Sequence, residues 1–170
     1  MSVTLILLLR IVHLVMGVFW VGAVLLVAGF LEPTTRALGP DASKFIQHLT
    51  RQKQLSKHIT GAAVLTVLSG IWLYWILSSG FQMAWITSGM GLSLTVGGLL
   101  AIVALIIGFA VSRPTAMRMG RLGQEIQASG GPPSDAQRAQ MQALQTRMRW
   151  AGRVSSVLLL LAVIGMAVAR

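Results

Sequence analysis

Arg10 and His13 lie inside an otherwise apolar stretch that runs from Val3 to Leu31. Ionisable side chains in a lipid-facing segment are costly, so they mark functional sites by default. Three residues apart, they share one helix face, and Trp20 lies two turns beyond His13 on the same stripe. A helix starting near Leu5 carries Arg10 about 8 Å and His13 about 12 Å in from its outer end, at the usual rise per residue. Arg10 can snorkel outward along its stem. His13 cannot, and it needs a partner, a metal or a cofactor. Three chemistries fit: a neutral histidine bonded to a carbonyl or hydroxyl of a neighbouring helix, an axial ligand of haem iron, or other ligation or proton transfer.

Counting along antiparallel helices places Trp72 to Trp75, the pair Gly97-Gly98, and Gly165-Met166 at a depth similar to that of His13. Adjacent glycines leave room for a flat macrocycle, Met166 is a candidate second axial ligand, and Arg10 is placed to meet haem propionates. Each element has a plainer reading, since aromatics favour membrane interfaces and glycines favour helix packing. His58 would lie roughly 20 Å from His13 along the axis, too far to share one iron. His48 falls in a polar segment and reads as solvated. Met16, Met83, Met90 and Met166 offer soft thioethers that, with an imidazole, suit Cu(I). Their spacing is irregular, and membrane methionines mostly fill space.

The elements that must position these residues follow from composition. Of 170 residues, 55% are hydrophobic and only 11% charged, with no cysteine. Soluble domains carry about a quarter of their residues charged, so this chain is no cytosolic enzyme, disordered tail or disulfide scaffold. Nothing resembles a Walker loop, a dinucleotide fingerprint, a zinc signature or paired intramembrane carboxylates. Glu32, Asp41, Glu125 and Asp135 all fall between apolar stretches. The net charge of +10 flanks apolar segments instead of lining one face, so a lipid bilayer and not nucleic acid is the expected partner.

Spanning segments must satisfy their backbone internally, and no stretch alternates like a barrel strand. The expected fold is all-α: a polytopic membrane protein, one transmembrane domain over 1–170, with spans at about 3–31, 59–78, 89–111 and 153–168. The first reads as a retained helix, because it lacks a charged n-region and exceeds an h-region in length. Arg36, Lys44, Arg51, Lys53 and Lys57 fall in segment 32–58; Arg113, Arg118, Arg121, Arg138, Arg147 and Arg149 fall in 112–152, with Arg153 at its edge. Ser79 to Ser88 carries no charge. The positive-inside rule then puts both basic segments in the cytoplasm and both termini outside, in the plasma membrane.

Pro33 is expected to end or bend the first helix, and Pro114 to kink the third. Asp41 can cap an amphipathic helix from Ala42 to about Lys57. Ser129-Gly130-Gly131-Pro132-Pro133 breaks the second basic segment into a cytoplasmic helical hairpin, whose second arm, capped by Ser134 or Asp135, can continue into the last span. Small residues at four-residue spacing (Gly89, Ser93, Gly97, Ala101; and Ala62, Thr66, Gly70), with Gly152, Ser155, Ser156, Ala162 and Gly165 on the last span, suit close packing in an up-down four-helix bundle. Homodimer contacts or another membrane protein could use the same surfaces.

The run Leu9-Arg10-Ile11-Val12-His13 through Phe19-Trp20-Val21-Gly22 resembles the first helix of the copper resistance D-like membrane proteins and of the HemJ-type protoporphyrinogen oxidases. Pro33 and Arg36, then Gln52-Lys53 and Gly70-Ile71-Trp72-Leu73, are similar to later parts of the HemJ-type pattern. That pattern has a proline where Gly61 stands, and an acidic-arginine pair near residues 51 to 53 that this chain lacks. The resemblance covers roughly residues 9 to 75. It implies a four-helix membrane protein, with His13 associated with haem b and Trp20 and Gly22 as fold markers. The expected function is b-type haem binding for electron transfer or haem-linked oxidation, with no enzymatic reaction assigned. A cofactor-free membrane scaffold or subunit, or a copper-handling protein, are the alternatives.

Overall fold

A computed structural model describes residues 2–42, 45–46, 48–49 and 54–169, and among these it is helical with no strand. The helices are α1 (Val3–Leu26), α2 (Glu32–Leu38), α3 (Leu55–Leu77), α4 (Met83–Ile86), α5 (Gly89–Ile107), α6 (Arg113–Ala128) and α7 (Asp135–Ala167). Four continuous helical stretches are long and apolar enough to cross a membrane: Val3–Leu38, Leu55–Leu77, Gly89–Ala128 and Asp135–Ala167. They fit an integral membrane protein of several spans.

Serines start three of these stretches. Ser2 accepts from the Leu5 N–H, Ser88 from the Gly91 N–H, and Ser134 from the Gln137 N–H, while the Gln137 side chain accepts from the Ser134 N–H. That reciprocal box satisfies amide groups that would otherwise lack partners. From it, α7 runs unbroken into its apolar half.

Neither proline breaks its helix. Each sits two residues after a five-residue π-turn, Val27–Leu31 before Pro33 and Gly108–Ser112 before Pro114. There the Glu32 N–H reaches back to the Val27 carbonyl and the Arg113 N–H to the Gly108 carbonyl, five residues away in each case. A proline ring clashes with the carbonyl four residues earlier and donates nothing to it. Widening the turn ahead of the ring relieves that clash and lets the helix continue. The first and third stretches therefore run on to Leu38 and Ala128, beyond the bounds of about 31 and 111 expected from hydropathy. The helix expected from Ala42 to Lys57 lies partly outside the described residues, as do Lys44, Arg51, Gln52, Lys53 and the Asp41 side chain; α3 itself begins at Leu55.

Packing uses the small-residue rows. α1 lies chiefly against α3, and α5 against α7. A Cβ built on Gly97 would stand 3.0 Å from the Ala162 carbonyl, and one on Gly165 3.5 Å from the Ser93 carbonyl. The core is mostly alanine: Ala62, Ala63, Ala101, Ala104 and Ala162 are buried with Leu159 around the indole of Trp20. The charge-free loop closes over Tyr74, whose hydroxyl hydrogen-bonds Thr95 and whose ring meets Trp85 edge-on.

Gly91 marks the tightest point, since a Cβ there would fall 1.9 Å from the Trp85 carbonyl oxygen. Gly91→Ala should therefore cost about 1–3 kcal/mol through overpacking, read as a lower melting temperature in mild detergent. Gly98→Ala, with nothing within 4 Å of its added methyl, should melt at the wild-type temperature or slightly above.

Candidate functional site

His13 is half-buried in the seam between α1 and α3. Its imidazole lies on Gly70, where a Cβ would come within 2.8 Å of ring Cε1 and 3.1 Å of Nδ1. Lacking that methyl, Gly70 lets the ring approach the α3 backbone. Nδ1 then reaches the Thr66 carbonyl at 2.8 Å, with the Ser69 hydroxyl 3.5 Å away. Ser69 itself donates to the Leu65 carbonyl at 2.6 Å, so its lone pairs, not its proton, face the ring. The Thr66 hydroxyl is occupied with the Ala62 carbonyl one turn back.

This arrangement decides the tautomer. A carbonyl only accepts, so Nδ1 carries the proton, and in the neutral ring Nε2 keeps its lone pair. Nε2 has no hydrogen-bond partner among the described residues. No side-chain nitrogen or oxygen there is both fully buried and without a partner, so Nε2 is not completely enclosed. Metal-bound histidines are commonly held in this way, with the second ring nitrogen donating to a carbonyl that fixes the ring.

The other expected site residues are placed apart. Trp20 is 4% exposed in the alanine core. Arg10 is exposed and forms no ion pair among the described residues. Gly97 and Met166 do come together, but with each other: the Met166 side chain covers Gly97 across the α5–α7 seam, 3.1 Å from a notional Cβ. Gly98 has nothing within 4 Å. The layer of His13 is also about one turn from the one expected from counting: it meets Thr66, Ser69 and Gly70, while Trp72 and Trp75 are half exposed. Thr66 and Gly70 belong to a row legible in the sequence as a packing ridge, and that row is the seat of the imidazole. Its assignment to packing alone hid the partner.

The remaining candidates do not join this site. His58 Nδ1 donates to the Gln54 carbonyl at its own helix start, 3.1 Å away, and His48 is exposed. Met83 and Met90 are exposed. Among the described residues, no group of three or more His, Cys, Asp or Glu is gathered to hold a metal ion. Comparison with protein-family models, curated proteins and solved structures finds no match to this chain.

The tautomer is directly measurable. With ¹⁵N-labelled histidine, the neutral form of His13 should show a protonated Nδ1 and an unprotonated Nε2. Gly70→Ala, by pushing the ring off α3, should abolish that pattern; an unchanged spectrum in the variant would contradict the seating described here.

Proposed function

We propose that this is a multi-pass plasma-membrane protein, an up-down four-helix bundle with a cytoplasmic helical hairpin, in which His13 would hold a b-type haem through Nε2. The carrying observation is the open Nε2 of an imidazole whose Nδ1–H is already fixed on the Thr66 carbonyl. The resemblance of the first helix to copper resistance D-like and HemJ-type proteins points the same way. The residues fit a single axial imidazole. They do not fit a ring slotted at Gly97-Gly98, because Met166 and the Ala162 carbonyl fill the space beside Gly97. Met166 is spent in that contact, so it supplies no second ligand in this arrangement. Haem held at His13 would supply one-electron transfer or haem-linked oxidation; Arg10, exposed and unpaired on the same helix face, would meet its carboxylates.

A second reading has its own support. The fit of the imidazole onto Gly70 and the Thr66 carbonyl is also what an interhelical clip in a cofactor-free membrane subunit requires. Copper draws less support, since Met83 and Met90 are exposed and Met166 lies on Gly97.

Visible spectra of the protein purified from haem-replete cells, oxidised and reduced, separate the first two readings. Haem ligation predicts a Soret band that His13→Ala removes. No band, even after haem is added back, rejects it. A band untouched by His13→Ala keeps haem and removes this ligand. The clip predicts no band and a loss in His13→Ala of about 0.6 kcal/mol, up to about 1.7, the range of interhelical hydrogen bonds in membranes.

The orientation has a separate test. Reporter fusions after Ala84 and after Ser129 should report opposite sides of the membrane, with the second in the cytoplasm. Both on one side would overturn the proposed topology.

A further inference from the structure

The apolar half of α7 begins immediately after Arg153. There a shallow groove of about 260 Å³ is lined by Arg153, Val154, Val157 and Leu158. Its walls are hydrocarbon, and the one charged group stands at the end where the polar half of α7 begins. Arg153 is exposed and forms no ion pair or hydrogen bond among the described residues. One turn earlier on the same face, Trp150 is 56% exposed, and Arg149 reaches Glu32 only at 3.8 Å. An exposed indole beside arginines at the start of an apolar stretch is the residue set of a membrane interface. That is the depth at which lipid phosphates lie.

The helices on the polar side of Arg153 carry more cationic than anionic groups. Arg113, Arg118, Arg121 and Arg147 are exposed with no ion pair among the described residues, while Asp135 is taken up by Arg138 at 2.8 Å. Guanidinium forks bind phosphate oxygens in pairs, more specifically than ammonium groups do. The surplus favours a headgroup that carries net negative charge over a zwitterionic one.

We propose that Arg153 and the groove of Val154, Val157 and Leu158 bind one anionic phospholipid, its phosphate on the guanidinium and an acyl chain along α7. The site is independent of His13 and of haem; it rests only on the apolar half of α7 lying in lipid. Alkaline extraction of membranes tests that premise first, and release of the full chain into the soluble fraction would overturn the site together with the membrane assignment.

The full-length protein is then taken from bilayers of equal phosphatidylglycerol and phosphatidylcholine, and retained lipids are counted by native mass spectrometry. Wild type should retain phosphatidylglycerol preferentially. Arg153→Gln should lower that retention about fivefold, the weight of one arginine at an anionic surface. Arg138→Gln, whose guanidinium is already on Asp135, should leave it unchanged. Val157→Phe keeps the charge and fills the groove, so it should lower retention even if Arg153→Gln proves unstable. Equal retention of the two lipids by wild type, Arg153→Gln matching Arg138→Gln, or Val157→Phe matching wild type would each overturn the site. Displacement of the lipid by excess inorganic phosphate would replace it with a free-anion site.

Discussion

Close approach of backbones at small residues is the constraint on which the rest of this structure depends. Between helices in hydrocarbon there is almost no hydrophobic drive, because lipid tails are as apolar as leucine. What remains is van der Waals contact and the occasional hydrogen bond, and both need short distances. Gly70, Thr66 and Ala62 give α3 a face low enough for α1 to settle on it; Ser93, Gly97 and Ala101 do the same for α7 on α5. The bond from His13 Nδ1 to the Thr66 carbonyl is a consequence, because an imidazole reaches a helical carbonyl only when no side chain holds it off. The same logic explains a core built mostly of alanine: where backbones lie close, Trp20 and Leu159 are the large side chains buried among the alanines of four helices.

The polar groups inside the apolar stretches follow a second consequence of that solvent. With no water to meet them, the hydroxyls of Thr66, Ser69, Thr95 and Thr115 each donate to a carbonyl three or four residues back on their own helix. They cost little there, and they leave lone pairs free for a neighbour, as Ser69 does toward His13. The prolines are handled by the same rule of internal satisfaction. A π-turn ahead of each absorbs the missing donor, so that helices begun in the apolar layer persist past it. At that end α7 touches both π-turns, Gly152 lies against Ala28, and Arg149 faces Glu32.

How much of this was legible from residues alone differs by element. Span number and the unbroken run of α7 follow from long apolar stretches and the Ser134–Gln137 box, which are local signals. So is the need of His13 for a partner, and a carbonyl on a neighbouring helix was among the expected ones. The identity of that partner was not legible. Counting residues inward from helix ends assumes known starting heights, and α1 begins at Val3 instead of near Leu5, which sets His13 deeper against the antiparallel α3 ending at Leu77. Pro33 misled for a different reason: its usual effect is to end or bend a helix, and relief by a π-turn depends on five residues cooperating, a property that no single one of them carries; at Pro114 a kink with continued helix was the expectation.

Arg10 and His13 then separate into two kinds of polar intrusion. Arg10 is exposed near the N-terminal end of α1 and has a stem long enough to reach water, so its position has a low cost and needs no protein partner. His13 is one turn deeper and satisfied on one nitrogen only. Covering the unpaired Nε2 with apolar groups would cost free energy, and the ring is seated so that Nε2 is not completely enclosed. Glycine at position 70 therefore serves two ends with one missing methyl: it brings the proton-bearing nitrogen to a carbonyl, and by fixing the ring it sets the direction in which the basic nitrogen is offered. The open lone pair is thus a property of the α1–α3 seam as a whole, and any ligand that takes it must also accept the orientation that Gly70 imposes.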